Sequence, residues 1–499
     1  MSSLLLSEVH LPGHVDVHDV LIQDGLIVAV HPVGTSLAGT ITADQVERVS
    51  AYGRWLIPGL WDHHVHFDQW AQVSRRLDLS AAGSAAEAAH LVARWIEAKA
   101  DELDLPIVGY GFRDALWSDA PALDVLDPIT GDRPAVLVSA DLHSAWLNTA
   151  ALNRFGHAGH PTGLLREDVA MAVLSRVSAV SDEVSDAWAA AAADQAARRG
   201  VVGVVDLERP IALETWRRRI TAGQRSLRVR SGVWAEVLDD AIGRGLRTGQ
   251  SIDGTDGLLQ VGPMKVITDG SLNTRTAYCH DSYPGLTGNP NGLLLVPPGE
   301  LTELLRHAAE HGFRCAVHAI GDQANSLALQ AFSESGAVGS IEHAQLLDQA
   351  DVGRFAELGV VASVQPEHAL DDRDVADRLW AGRTGRAFML RSLLDAGAVL
   401  ALGSDAPVAP LDPWISLSAA VARTRDGRPA WHPEQSITPA EALSASVAEP
   451  SRQPIAIAVG DVADLVLCEA DPLATEPMAL RTMPVWATLL GGRFTYRAD

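Results

Sequence analysis

Cysteine is scarce. The 499 residues hold three, Cys279, Cys315 and Cys468, with none of the close spacing of a zinc ribbon or a redox pair. Thiols so scattered cannot build a disulfide framework, and a reducing, cytoplasmic setting is expected. Long apolar runs are missing as well: no stretch approaches the ~18 residues of a membrane span. The start, Met1-Ser2-Ser3-Leu4-Leu5-Leu6, lacks the basic segment of a secretory leader, so neither an anchor nor a cleaved leader is expected. Positive charge is in deficit, with 39 Lys+Arg against 63 Asp+Glu and a net charge of −24. That balance argues against nucleic acid and anionic membrane as partners and otherwise fits a merely acidic surface. Low-complexity tracts are absent, and nothing in the pattern decides whether the chain forms a homo-oligomer.

What is present is length enough for one large domain and a smaller one. Between residues 57 and 450, short β-rich runs alternate with longer helical stretches, the pattern of βα units around a parallel sheet. Eight such runs can be placed, beginning at Ile57–His66, Val201–Asp206, Arg228–Trp234, Val261–Ile267, Cys315–His318, Ser340–His343, Val360–Val364 and Ala398–Asp405. Eight parallel strands with helices between them describe a (β/α)8 TIM barrel. From about 69 to 180 there is too much chain for one βα unit, and Ala135–Ser139 inside it reads as a further strand. This segment is expected to be a large insertion after the first barrel strand. The two chain ends, 1–56 and 451–499, carry β-rich runs of their own. Val20–Val30 folds about an Asp24-Gly25 hairpin turn, and Asp464–Cys468 and Val485–Phe494 read as strands. Neither end has strands enough alone, so together they are expected to form one small β-sandwich domain.

The chemistry gathers at strand ends. The first run closes in His64-Val65-His66, and because strand side chains alternate faces, His64 and His66 face one way. The fourth contains Lys265, the fifth ends in His318, the sixth in His343 and the eighth in Asp405. In a barrel the C-terminal strand ends share one mouth, so these residues would meet there. Imidazoles with a carboxylate suit Zn²⁺ or another first-row divalent ion. Each residue taken singly also fits a blander role, a hydrogen-bonded core histidine or a helix-capping aspartate. Asp269, sharing Lys265's strand parity, reads either as a substrate contact or as a turn aspartate before Gly270. Cys315 falls on the face away from the site. Glu167 and Gln365 could reach the mouth or merely cap and solvate. Trp70, Trp117, Trp146 and Trp414 fall in segments expected near the mouth, where Trp146 is a candidate substrate contact, although ordinary packing explains most of them.

Pro58-Gly59-Leu60-Trp61-Asp62-His63-His64-Val65-His66 resembles the opening signature of the amidohydrolase superfamily. His143-Ser144-Ala145-Trp146-Leu147-Asn148, Pro161–Glu167, Lys265–Leu272, His318–Ala324, Ile341–Gln345 and Gly403–Val408 are similar to motifs of its amidohydrolase-3-like branch, that of the N-substituted formamide deformylases and exoenzyme regulatory proteins. The resemblance covers nearly the whole chain and is specific for fold and metal site more than for substrate. It implies that His64 and His66 bind a buried metal, that His318 and His343 bind a more exposed one, and that Asp405 binds the buried metal while facing the attacking water. Lys265 stands where binuclear members carry a carboxylated lysine bridging both ions. A free ammonium would repel two dications, so the expected cofactor is two divalent ions, zinc foremost, if Lys265 is carboxylated. If it instead pairs with Asp269 or a substrate carboxylate, one ion is expected.

The activity implied is hydrolysis of a non-peptide C–N bond, amide in type, in a small molecule. A bound divalent ion brings the pKa of water from roughly 16 to about 7. Asp405 would pass the proton from the attacking water to the leaving nitrogen, and the carbonyl would be polarised either by the exposed metal or by a donor such as His143, itself equally readable as a histidine satisfied within the insertion. One alternative is a metal-dependent deaminase of an amino-heterocycle. Deaminases of this superfamily typically carry glutamate three residues after the strand-five histidine, where this chain has Gly321. The other is a non-catalytic regulatory or binding protein on the same barrel, against which the full ligand set stands.

Overall fold

The computed structural model describes residues 3–34, 46–79, 81–98, 106–112, 114, 117–139, 144–178, 180–286 and 288–499. The chain divides into two compact units, one of Met1–Trp70 with Ala190–Asp499 and one of Ala71–Ala189.

In the first unit, eight strands pair in the order in which the chain makes them: Leu60–Val65, Val201–Asp206, Arg228–Trp234, Leu259–Ile267, Cys315–Ala319, Gly339–His343, Val361–Val364 and Leu400–Leu402. Every pairing is parallel. These are short Val- and Ile-rich runs buried on both faces, as a sheet covered by crossover helices requires. The first and eighth strands close the ring. His64 O accepts from Asp405 N at 2.7 Å, His66 N donates to Ala406 O at 2.8 Å, and Val65 and Ala406 form a parallel bridge. That seam depends on Gly403, where an added Cβ would lie 2.7 Å from His64 N. The architecture is an eight-stranded parallel (β/α)8 barrel.

Strands from the two chain ends meet in one mixed eight-stranded sheet, in which Trp55–Pro58 lies between Leu465–Cys468 and Ser3–His10. The expected hairpin is there. Val17–Gln23 and Leu26–Pro32 pair antiparallel with Gln23 opposite Leu26, and Asp24 and Gly25 both take positive φ, 50° and 83°, the conformation a two-residue primed turn needs. Leu6, Val9, Val20, Leu56, Leu465 and Leu489 form its core. Arg228 of the barrel holds Asp464 of this sheet in a two-pronged ion pair, and Gly59 N donates to Asp464 O at 2.7 Å. The sheet is thereby fastened to the entry of the first barrel strand.

The second unit has a sheet of its own, in the order Leu164–Arg166, Ser144–Leu147, Ala135–Ser139, Ile107–Phe112, Leu77–Asp78. Only Ala135–Ser139 is legible from residue pattern. The others are two to six residues long and interleave with Gly, Ser and Asp, which hides their period. Trp146 is fully enclosed here, donating Nε1 to Ala122 O at 3.2 Å and meeting Trp117 edge-on. It presents no face to a ligand, so the expectation of a substrate contact at Trp146 is corrected: the indole is core. Trp414, in the first unit, is likewise buried, with its Nε1 on Arg199 O at 3.0 Å.

Candidate metal centre

His64, His66, Lys265, His318, His343 and Asp405 all line one cavity of ≈ 490 Å³ at the C-terminal strand ends, together with His368, Gln345, Trp234 and Ile320. Strand alternation delivers His64, and the chain leaving the strand delivers His66. Two of the residues sit where L-residues rarely go. His343 has φ 76° and Asp405 φ 56°, and Ala344 follows at 42°. Left-handed backbone at a non-glycine costs roughly 1–2 kcal/mol per residue, and here it turns two strand ends so that their side chains point into the cavity.

Asp405 is the hub. Its Oδ1 is 3.5 Å from both His64 Nε2 and His66 Nε2, and its Oδ2 is 3.8 Å from His368 Nε2. These separations are too long for good hydrogen bonds. Two ligands on one tetrahedral ion at bond lengths of ~2.1 Å stand about 3.4 Å apart. Among the described residues two donor groups result, His64–His66–Asp405 and His343–His368–Asp405, the ligand atoms in each lying within 4.8 Å of one another.

Burial sets the charges. It holds His64 and His343 well below the ordinary histidine range and pushes His66 and His368 down to about 4 and His318 to about 3. All five are therefore neutral near pH 7, the form in which an imidazole offers a lone pair. Burial also lowers Lys265, against the pull of Glu342 and Asp405, and raises Asp405 to about 7, against the pull of Lys265. Among the described residues Lys265 Nζ, His343 Nδ1 and His368 Nε2 are buried without a hydrogen-bond partner. A buried amine with no acceptor, set among lone pairs aimed at a common space, is costly as a closed packing arrangement. It fits a centre built to hold a divalent ion. The chain has only two lysines, Lys99 and Lys265, and one of them is placed here.

The supports are equally specific. His64 Nδ1 donates to Glu342 Oε2 at 2.7 Å, and Ser340 Oγ holds the other carboxylate oxygen. Asp62 accepts from the backbone N–H groups of His64 and Ser404 at 3.1 and 2.9 Å, locking the first strand to the eighth. Asp269 accepts from Ile320 N, Gly321 N and Tyr278 N at 3.0, 2.9 and 2.8 Å. It is wholly buried and lies 3.6 Å from His318 Nε2. It organises the loop after the fifth strand, and the reading of Asp269 as a substrate contact is corrected on that ground. Cys315 is buried at the start of the fifth strand, away from the site, bordering a separate cavity at the N-terminal strand ends. Gln365 is buried behind the seventh strand end. His143 lies outside the described residues, as does the side chain of Glu167. Residue pattern missed two participants. Glu342 stands beside His343 in the motif, and its burial signals a role; His368 comes four residues past the seventh strand and had no strand parity to reveal it.

The amidohydrolase family model matches residues 47–496, and the chain belongs to the amidohydrolase family. It is 27% identical over 519 residues to a putative amidohydrolase, YtcJ, of Bacillus subtilis, covering 96% of this chain and 95% of that one. It is 24% identical to N-substituted formamide deformylase of Arthrobacter pascens, covering 96% and 94%. The fold is shared with an uncharacterized metal-dependent hydrolase from Pyrococcus furiosus, at a TM-score of 0.76 and 24% identity over 94% of this chain and all of that one. Among the described residues no helix is long and apolar enough to cross a membrane.

Proposed function

We propose that this chain is a hydrolase that uses a divalent metal, zinc foremost, to cleave a non-peptide C–N bond, amide in type, in a small molecule. The observation that carries the reading is Asp405 shared between two groups of neutral histidines at the floor of the cavity. Bound there, a divalent ion would bring the pKa of water close to neutrality. His64 and His66 would hold it beside Asp405, which takes the proton of the attacking water and returns it to the leaving nitrogen. His318 and His343, with Lys265 as a carbamate, would hold a second ion; with a bare Lys265 the site would keep one. His143 stands in the proposal as the donor that polarises the carbonyl. The reading includes a cytoplasmic protein of 57–450 barrel, an insertion at about 69–180 and a β-sandwich domain from 1–56 and 451–499.

Deamination of an amino-heterocycle is disfavoured further by the backbone at Gly321. A Cβ there would lie 2.1 Å from Tyr278 O and 2.4 Å from its carbonyl carbon. No side chain fits where deaminases place their glutamate. Metal-replete protein is expected to release amine from N-formyl or N-acyl amines. Ammonia release from amino-purines or pyrimidines alone would replace this reading by the deaminase. Inertness across amide, ester and carbamate libraries, with tight binding of a macromolecule, would replace it by the regulatory protein.

A further inference from the structure

The barrel is open at its other end as well. A (β/α)8 barrel normally fills its interior with layers of bulky branched side chains. In the first unit, strand alternation turns Ala316, Ser340, Ser363 and Ala401 inward from the fifth to the eighth strands, and all four are small. The layer is left unfilled. A cavity of ≈ 490 Å³ remains, running from the N-terminal strand ends to Glu342, and it shares no lining residue with the cavity that holds Asp405.

Its two ends differ in chemistry. Arg230 and Arg314 stand at the rim. Arg230 is committed, donating to Ala448 O at 2.9 Å and pairing with Glu449, whereas the exposed Arg314 guanidinium has no acceptor among the described residues. Far inside, Ser363 is 2% exposed, and among the described residues its Oγ has no hydrogen-bond partner. A buried hydroxyl left unpaired is costly, and a purely hydrocarbon occupant would leave it so. Strand register gives the span between the ends. Ala316 pairs with Ser340 and Ser340 with Val361, so Arg314 lies two residues below that level and Ser363 two above it. Four residues of strand cover about 13 Å, part of which the arginine side chain itself bridges.

We propose that this cavity is a binding site for a short-chain carboxylate whose far end carries a hydroxyl. The carboxylate pairs with Arg314, the chain lies against Val205, Val261 and Val361, and the hydroxyl meets Ser363 Oγ. The site is separate from the metal-dependent reading above and stands or falls without it.

Isothermal titration calorimetry of the full-length protein with 6-hydroxyhexanoate, and with its four- and eight-carbon homologues, tests the site. Saturable binding is expected, strongest near six carbons. R314E should weaken it about tenfold or more, the loss of a charge-assisted contact. Hexanoate should bind wild type about fivefold less tightly than 6-hydroxyhexanoate does, and S363A should abolish that difference. A401L fills the cavity and should remove binding; A401V, which adds less volume, takes its place if A401L unfolds. Absence of saturable binding to wild type would leave the cavity a water-filled one and overturn the proposal. So would binding that R314E leaves unchanged, or equal binding of 6-hydroxyhexylamine. Binding that D405N loses and A401L keeps would place the carboxylate in the metal cavity, with the same result.

Discussion

Removing the carboxylate behind His64 tests how the barrel sets the tautomer of a histidine proposed to bind metal. Glu342 is almost wholly buried and takes two donors, His64 Nδ1–H at 2.7 Å and the Ser340 hydroxyl. That contact fixes the proton on Nδ1 and leaves the Nε2 lone pair facing Asp405. In E342A the imidazole loses a charge-assisted hydrogen bond worth about 1.5–3 kcal/mol, and either nitrogen can then carry the proton. A compensation comes from below. Glu342 also lines a cavity of ≈ 490 Å³, beside Ser340 and Ser363, that reaches the N-terminal strand ends, so the space left in E342A would adjoin solvent able to replace part of the lost acceptor. The loss of metal affinity is therefore expected nearer tenfold than the hundredfold upper end for such supports, about 1.4 kcal/mol. E342Q keeps an acceptor oxygen against Nδ1 and should lose less. Stability of the metal-free protein should change little, because deleting a buried carboxylate relieves its own desolvation. Chelator competition with Zn²⁺ measures the affinities. E342A binding metal as tightly as wild type would refute the reasoning, and equal losses in E342Q and E342A would show that charge rather than tautomer is what Glu342 supplies.

Protein exchanged into ¹³C-bicarbonate with Zn²⁺ is expected to show one carbamate carbon signal. With only two lysines in the chain, its loss in K265R would assign it, and a signal absent from wild type would leave Lys265 a bare amine. D405N is expected to drop kcat by several orders of magnitude at saturating metal; turnover within tenfold of wild type would remove Asp405 as the proton carrier. Burial raises Asp372, at the cavity wall, to about 6, with Asn273 donating to it at 2.7 Å. The folded protein thus binds its proton more tightly than the unfolded chain does, and its stabilising contribution, complete below about pH 4, is lost as pH rises through 6. At pH 8 D372N should be more stable by about 1–2 kcal/mol, the full shift discounted for partial exposure, and neutral at pH 4; urea melts that shift equally at both would contradict this. Burial pushes the Cys279 and Cys315 thiols up to about 11 and 12 and raises Cys468 as well, so none should react with iodoacetamide until the protein unfolds.

How much of this was legible in the residues depended on periodicity. The eight barrel strands are short apolar runs at regular spacing, and strand alternation brings His64 and Lys265 to the mouth that the left-handed turns at His343 and Asp405 then complete. The Asp24-Gly25 hairpin was equally plain, because two consecutive residues with positive φ call for that dipeptide. The second unit was not legible. Its strands Leu77–Asp78 and Leu164–Arg166 are too short to show a period.

His368 marks the limit of the strand rule at the site itself. The seventh strand ends at Val364 with no ligand, and the chain makes a turn through Gln365-Pro366-Glu367 before a short helix turns the imidazole inward. Glu367 secures that turn, accepting from Arg425 and Arg481 at 2.6 and 2.9 Å. Two arginines on a buried carboxylate hold the helix start against the barrel, so His368 is positioned by an ion-pair network rather than by a strand register. A residue placed in this way leaves no spacing in the sequence. The Glu367 network therefore predicts its own test: R481A should loosen the helix start, read as faster amide exchange of His368–Asp371 in the otherwise folded protein. Unchanged amide protection of that segment in R481A would mean that Arg425 alone holds the turn.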